Sequence, residues 1–239
     1  MIGIELLDDP RVDPELVGRE LRDIARLNAL FGGTRAVVEG LEPFFRRSCN
    51  VQRVTCDEQW TLLDVGTGLG DIPRAAAAAA RRHGITLRLV GIELNRTAAR
   101  LAQGADGGRG APLAVALADG AALPLGPRSV DVVVASQVLH HVPRPVAVRW
   151  IAGFDRVARR AVVLADLRRS RVAMAGVWAA SVGLGMSGVT RHDAVVSLKR
   201  GYTKQEFDEM LRDAGVRAAA RYRPGARIVA AWSPGGSSQ

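Results

Sequence analysis

The chain has 239 residues, of which 48% are hydrophobic and 24% charged, and a net charge of +9. That is enough for one sizeable α/β domain with a modest accessory segment. The basic excess is spread along the chain, nearly all arginine, and interleaved with acids as in Arg19-Glu20-Leu21-Arg22-Asp23, which reads as a solvated surface, so no nucleic acid is expected as partner.

The N-terminus, Met1-Ile2-Gly3-Ile4-Glu5, lacks the basic region and apolar core of a secretory signal, and a cytoplasmic location is expected. Asp13-Pro14 supplies an N-cap and a first-turn proline for a helix to about Leu30, ended by Gly32-Gly33. A second helix from Thr34 to Arg47 carries Leu41, Phe44 and Phe45 on one face, so residues 1–48 read as a helical cap. Arg35 is a solvated arginine or a cap-side contact to a ligand. Cys49 and Cys56 lack a companion C-x-x-C pair, which implies neither zinc nor a disulfide scaffold; free thiols and no metal are expected. They lie in a polar connection, residues 49–58.

From there residues 49–239 read as one domain in which strands and helices alternate: strand 60–65, helix 71–83, strand 86–92, helix 95–104, strand 112–117, strand 130–135, helix 144–158 and strand 161–166. This alternation predicts a parallel, doubly wound α/β sheet. Gly104 to Gly110 reads as a glycine-rich surface loop. Val172 to Thr190 is uncharged and as long as a membrane span, but four glycines and two serines interrupt it; a buried or cavity-lining helix and no stable span are expected. Thr203-Lys204-Gln205-Glu206 is a capping box for a helix to Asp213, stopped by Gly215. Apolar runs near Val216–Tyr222 and Arg227–Trp232 predict a terminal strand pair.

The chemistry concentrates at strand ends, where open α/β sheets bind ligands. Leu62-Leu63-Asp64-Val65-Gly66-Thr67-Gly68-Leu69-Gly70 ends a strand at an acid and passes into three alternate glycines, which permit close approach to a ligand. A dinucleotide fingerprint would place its third glycine where Asp71 stands, so a nicotinamide cofactor is disfavoured. The second strand stops at Glu93, followed by Leu94, about 20 residues further on, where an acid can accept from both ribose hydroxyls. Asp119-Gly120 and Ser136-Gln137-Val138-Leu139-His140-His141-Val142-Pro143 follow the next two strands.

In order and spacing, Leu62 to Asp166 resembles the class I S-adenosylmethionine-dependent methyltransferases. The resemblance implies a mostly parallel, seven-stranded Rossmann-like sheet, with residues 168–202 inserted after strand five as a substrate lid, and S-adenosylmethionine as cofactor. By the same resemblance Asp64 lies near the methionine amino group or stabilises the glycine turn, Asp119 accepts from the adenine amino group, Gly120 leaves room for its ring, and Ser136 and Gln137 pass beside the sulfonium. The region after Asp166 is similar, more loosely, to bacterial methyltransferases of phenolic polyketides and phenolic lipids. A small hydrophobic or aromatic acceptor is therefore expected, with the chain a monomer or homodimer.

A phenol, with a pKa near 10, is mostly protonated at neutral pH, so a general base helps. His141 and His192 are the leading candidates and His140 the third, each alternatively a structural histidine; His83 closes a helix, where a cation favours the dipole. C-methylation of a quinone-type substrate shares these motifs. RNA methylation through the basic surface and a binding module without turnover are the further alternatives.

Overall fold

The computed structural model describes residues 12–48, 58–104 and 111–235. The acidic start, both cysteines with most of their polar connection, and residues 105–110 of the glycine-rich loop lie outside the described residues. Seven strands form one sheet: β1 (Glu58–Val65), β2 (Ile85–Glu93), β3 (Leu113–Leu117), β4 (Val130–Ser136), β5 (Ala158–Leu167), β6 (Arg221–Arg223) and β7 (Arg227–Trp232). Their order is β3-β2-β1-β4-β5-β7-β6. β1 to β5 pair in parallel, whereas β7 runs antiparallel to both β5 and β6.

Among the described residues eight α-helices accompany the sheet: α1 (Pro14–Leu30), α2 (Gly33–Ser48), α3 (Asp71–Arg81), α4 (Arg96–Gly104), α5 (Arg144–Val157), α6 (Arg171–Gly183), α7 (Gly188–Arg200) and α8 (Lys204–Asp213). Strands covered on both faces need near-continuous apolar sequence, and β4 and β5 supply it: Val132 to Ala135 and Ala161 to Ala165 are buried without a break. One core packs Ile151, Phe154, Phe207 and Met210 of α5 and α8 against the sheet. The other packs Leu41 and Phe45 of α2, and the alanine tract of α3, against Trp60, Leu62 and Val163. The N-terminal cap is thus in part a sheet layer, tied to α3 where His83 Nε2 lies 2.7 Å from Glu42 Oε1.

Three expectations need correction. The uncharged stretch from Val172 to Thr190 forms parts of two helices, broken at Gly185, whose φ is +65°. Burial is not what it finds: of α6 only Ser181 is buried, and Val172 and Trp178 are 83% and 55% exposed, whereas the expected cavity lining is met by Val177 and Thr190. No helix among the described residues is long and apolar enough to cross a membrane. The first of the terminal strands shrinks to Arg221–Arg223; Val216 and Ala220 ahead of it reach the core without joining the ladder. Finally, α3 stops at Arg81, two residues early, with its carbonyls satisfied by the turn that ends in Gly84.

β1 neighbours both β2 and β4, and the chain leaves β1 towards one edge and returns through β4 towards the other. The tips of β1 and β4 therefore frame the switch point where such sheets bind ligands. Phe154→Ala should cost about 3–5 kcal/mol of stability, measured by urea unfolding, because its ring is fully buried; a loss below about 1 kcal/mol would contradict the packing described.

Candidate active site

A cavity of about 540 Å³ opens over the tips of β1, β2 and β4, roofed by Leu21, Ile24 and Asn28 of α1. Its floor is the glycine turn. Gly66, Gly68 and Gly70 take φ of +74°, +53° and +74°, a region that costs other residues strain. A Cβ on Gly66 would also stand 2.2 Å from Val138 Cγ1. Gly66 N and Thr67 N donate to the Ile92 carbonyl, at 2.8 and 3.1 Å.

The carboxylates are built into this turn. Glu93 Oε2 accepts from Gly68 N at 3.0 Å, and Oε1 accepts from Leu94 N and Asn95 N at 2.9 and 3.0 Å. Glu93 thus fixes the turn while facing the cavity, with further lone pairs open to sugar hydroxyls. Asp64 Oδ2 accepts from Thr67 Oγ1 at 2.9 Å. Burial pushes the Asp64 carboxyl up to about 7, Asp71 and Glu93 adding repulsion while the Thr67 bond opposes the shift. Burial likewise raises Asp71, against hydrogen bonds from its own N–H and from Asn28.

Asp119 Oδ1 accepts from Ala121 N at 2.8 Å and caps a single 3-10 turn at the cavity wall. Gly120 sits beneath Trp150: a Cβ there would be 2.9 Å from Val65 Cγ1 and 3.0 Å from the indole. Leu94 lies 70% exposed along the cavity. Gln137 takes a φ of +57°, unusual for a side-chain-bearing residue and characteristic of functional positions. Three buried polar atoms on this wall, Asp71 Oδ2, Ser136 Oγ and Trp150 Nε1, have no partner among the described residues.

Among the described residues the cavity therefore carries four carboxylates, Asp64, Asp71, Glu93 and Asp119, one imidazole, His141, and no lysine or arginine. That donor set fits a cation bearing hydroxyls and an adenine amino group. It would repel a pyrophosphate, which needs basic groups or free backbone donors. S-adenosylmethionine, with its sulfonium and ammonium, matches the first description.

Sequence reasoning missed Asn28. Its Oδ1 accepts from Gln137 Nε2, and from Arg227 Nη2 at 3.4 Å, and its side chain also bonds Asp71. One amide so joins α1 to α3, the β4 tip and β7. Its signal was a polar residue on the buried stripe of Val17 and Leu21.

The three candidate histidines part company. His141 lines the cavity. His140 lies beneath it, rings 4.2 Å apart, with Nδ1 2.6 Å from Asp166 Oδ1 and both side chains buried. Burial would raise the Asp166 carboxyl, but His140, the Leu167 N–H and the charge of His141 hold it below the usual range. His192 is exposed on α7 and lines neither this cavity nor its smaller neighbour, because its side chain points away from buried Asp193. Arg35 pairs with Glu39 at 2.6 Å on the surface of α2, away from the cavity. The neighbouring cavity, about 70 Å³, shares Ile24 and Gln137 with the first and is walled by α1, α7 and the β5 and β7 ends.

The shifted Asp64 carboxyl has a sign. Between its ordinary value and about 7 the folded protein holds a proton that the unfolded chain has released, so stability falls as pH rises through this window. Asp64→Asn should remove that component, seen as a shallower decline of Tm between pH 4 and 7 than in the wild type; parallel profiles would count against it. Glu93→Gln should weaken S-adenosylhomocysteine binding, measured by calorimetry, about 10- to 100-fold, the loss expected for a charged acceptor. Unchanged affinity would remove Glu93 from the site.

A family model described as a methyltransferase domain matches residues 63–165. No curated protein matches the chain. Similar solved structures include a SAM-dependent methyltransferase from Aquifex aeolicus, at 17% identity and a TM-score of 0.61, covering 94% of this chain and 100% of that one. PigF with S-adenosylhomocysteine aligns at 17% identity and 0.63, over 96% of this chain and 62% of its own. An O-methyltransferase family 2 protein from Planctomyces limnophilus, in complex with apigenin, aligns at 16% and 0.56, over 90% and 61%. At these identities the likeness to solved structures is one of fold. Sheet order, cavity chemistry and matched domain agree: residues 63–165 match a methyltransferase domain, and the chain carries the fold of the class I S-adenosylmethionine-dependent methyltransferases.

Proposed function

We propose that the protein methylates a hydroxyl of a small hydrophobic phenol, with His141 as general base. Bound S-adenosylmethionine supplies an electrophilic methyl group. In this reading Glu93 holds the ribose and Asp64 the ammonium end. Asp119 and Gly120 hold the adenine, with Leu94 beside it, while Ser136 and Gln137 flank the reacting end. The turn of Gly66, Gly68 and Gly70 makes room.

The observation that carries the proposal is the position of His141 on the cofactor cavity wall, its ring packed at a tilt against a buried His140–Asp166 pair. His141 would take the hydroxyl proton, and the ionised Asp166 behind His140 would stabilise the resulting imidazolium electrostatically. His140 acts through its neighbour, positioning the ring. Residues 168–202, which include α6 and α7, serve as the substrate lid, presenting Val177, Ala194 and Leu198 together with Thr190, Asp193 and Ser197 to the smaller cavity. α1 excludes water from above and helps align the reactants.

Mass analysis of a phenolic panel incubated with S-adenosylmethionine tests this reading; product carrying the methyl on carbon would replace it with C-methylation. His141→Ala should lower kcat about 100-fold or more while leaving S-adenosylhomocysteine affinity unchanged. His192→Ala, exposed and outside both cavities, should turn over at close to the wild-type rate. The opposite pattern would move the base to α7.

A further inference from the structure

We infer that the acceptor carries a carboxylate, received by Arg227 in the smaller cavity beside the cofactor site. The inference rests on the methyltransferase reading and deepens it, naming the chemical class of the acceptor.

Arg227 opens β7 opposite Leu167 at the tip of β5, so it belongs to the same strand-tip face as the cofactor cavity. It lines the smaller cavity, yet the residue is only 4% exposed. Its single hydrogen bond among the described residues is the long one from Nη2 to Asn28 Oδ1, 3.4 Å. The N–H groups of Nε and Nη1 are buried without any acceptor. A guanidinium has five N–H donors and no acceptor, so burial in this state is costly and calls for an anion.

Other inward-facing arginines of this chain are used differently. Arg74 donates through both terminal nitrogens to the Leu69 and Ala102 carbonyls, at 2.7 and 2.9 Å. Arg128 Nη1 bridges the Asp155 and Ala158 carbonyls, at 2.8 and 2.7 Å. Those are structural ties; Arg227 has none comparable.

Asp166 attracts Arg227 electrostatically, but none of the hydrogen bonds described for the nearby acids comes from its guanidinium. Asp166, one position along the ladder, is engaged by His140 and by the Leu139 and Leu167 amides. Glu20 and Asp193 line the same cavity and have partners of their own; Glu20 Oε2 accepts from Thr190 Oγ1 at 2.7 Å. The apolar part of the lining, Ile24, Leu27, Phe31, Leu167, Val177 and Leu198, is interrupted by the hydroxyls of Thr190 and Ser197, and at about 70 Å³ the cavity has room for the carboxylate end of an acceptor whose body extends past Gln137 into the larger cavity. Gln137 borders both cavities, which sets the occupant beside the cofactor's reacting end. Acids thus surround the cationic cofactor, while on the other side the buried Arg227 guanidinium, next to Glu20 and Asp193, keeps two N–H groups free for the acceptor.

The test is calorimetry on the full chain saturated with S-adenosylhomocysteine, using 4-hydroxybenzoate and the uncharged 4-hydroxybenzyl alcohol as probes. The benzoate is expected to bind at least tenfold more tightly than the alcohol. Arg227→Gln should erase that preference while leaving S-adenosylhomocysteine affinity in place, and Arg227→Lys should retain part of it. Equal affinity of the two probes for the wild type, no binding of the benzoate, or a preference that survives in Arg227→Gln would overturn the inference. The wild-type comparison decides it even if the glutamine variant fails to fold. Failure of S-adenosylhomocysteine itself to bind would instead sink the underlying methyltransferase reading.

Discussion

The structure depends on a concentration of negative charge around one glycine turn in a chain whose net charge is +9. Asp64, Asp71 and Glu93 stand close enough that burial and mutual repulsion lift the Asp64 carboxyl to about 7. Such an arrangement is unfavourable in the empty protein, and a protein retains it where a ligand cation relieves it. The same constraint explains the loop: Glu93 holds Gly68 through its backbone amide, so the carboxylate that faces the sugar also sets the shape of the turn below it. Binding geometry and local fold are one set of hydrogen bonds.

Around that centre the molecule is joined by a few polar contacts across otherwise apolar layers. Asn28 reaches from α1 to Asp71, Gln137 and Arg227, linking the cofactor wall to the floor of the smaller cavity. Asp166 performs a similar service beneath the histidines, receiving two backbone amides and the His140 ring. Both hubs are buried, where an unpaired partner is costly, so they hold the strand tips in one arrangement. Neither needs a long element; each uses one short side chain where several strand tips meet.

Much of this was legible in the sequence because it is local. The Asp13 cap, the Thr203–Glu206 capping box, the apolar β4 and β5 runs and the glycine turn each state their structure within a few residues. The parallel sheet followed from their alternation. What stayed hidden depends on contacts distant in sequence. Asn28 and Arg227 lie 199 positions apart, and nothing in either neighbourhood announces their meeting. The left-handed backbone of Gln137 is imposed by its surroundings, since glutamine has no preference for it. His192 looked apt beside Asp193, but on a helix adjacent residues face different directions, and the buried one is Asp193. The uncharged run after Arg171 showed composition without the glycine-marked break at Gly185 that divides it.

A cavity so furnished must choose its cofactor by charge. The most direct measurement is a calorimetric competition between S-adenosylmethionine and NADH on the full chain. Saturable binding of S-adenosylmethionine, with no heat from NADH, is the predicted result. Binding of the phosphorylated dinucleotide in its place would contradict the account, since four carboxylates and, among the described residues, no basic side chain would then be accommodating a pyrophosphate.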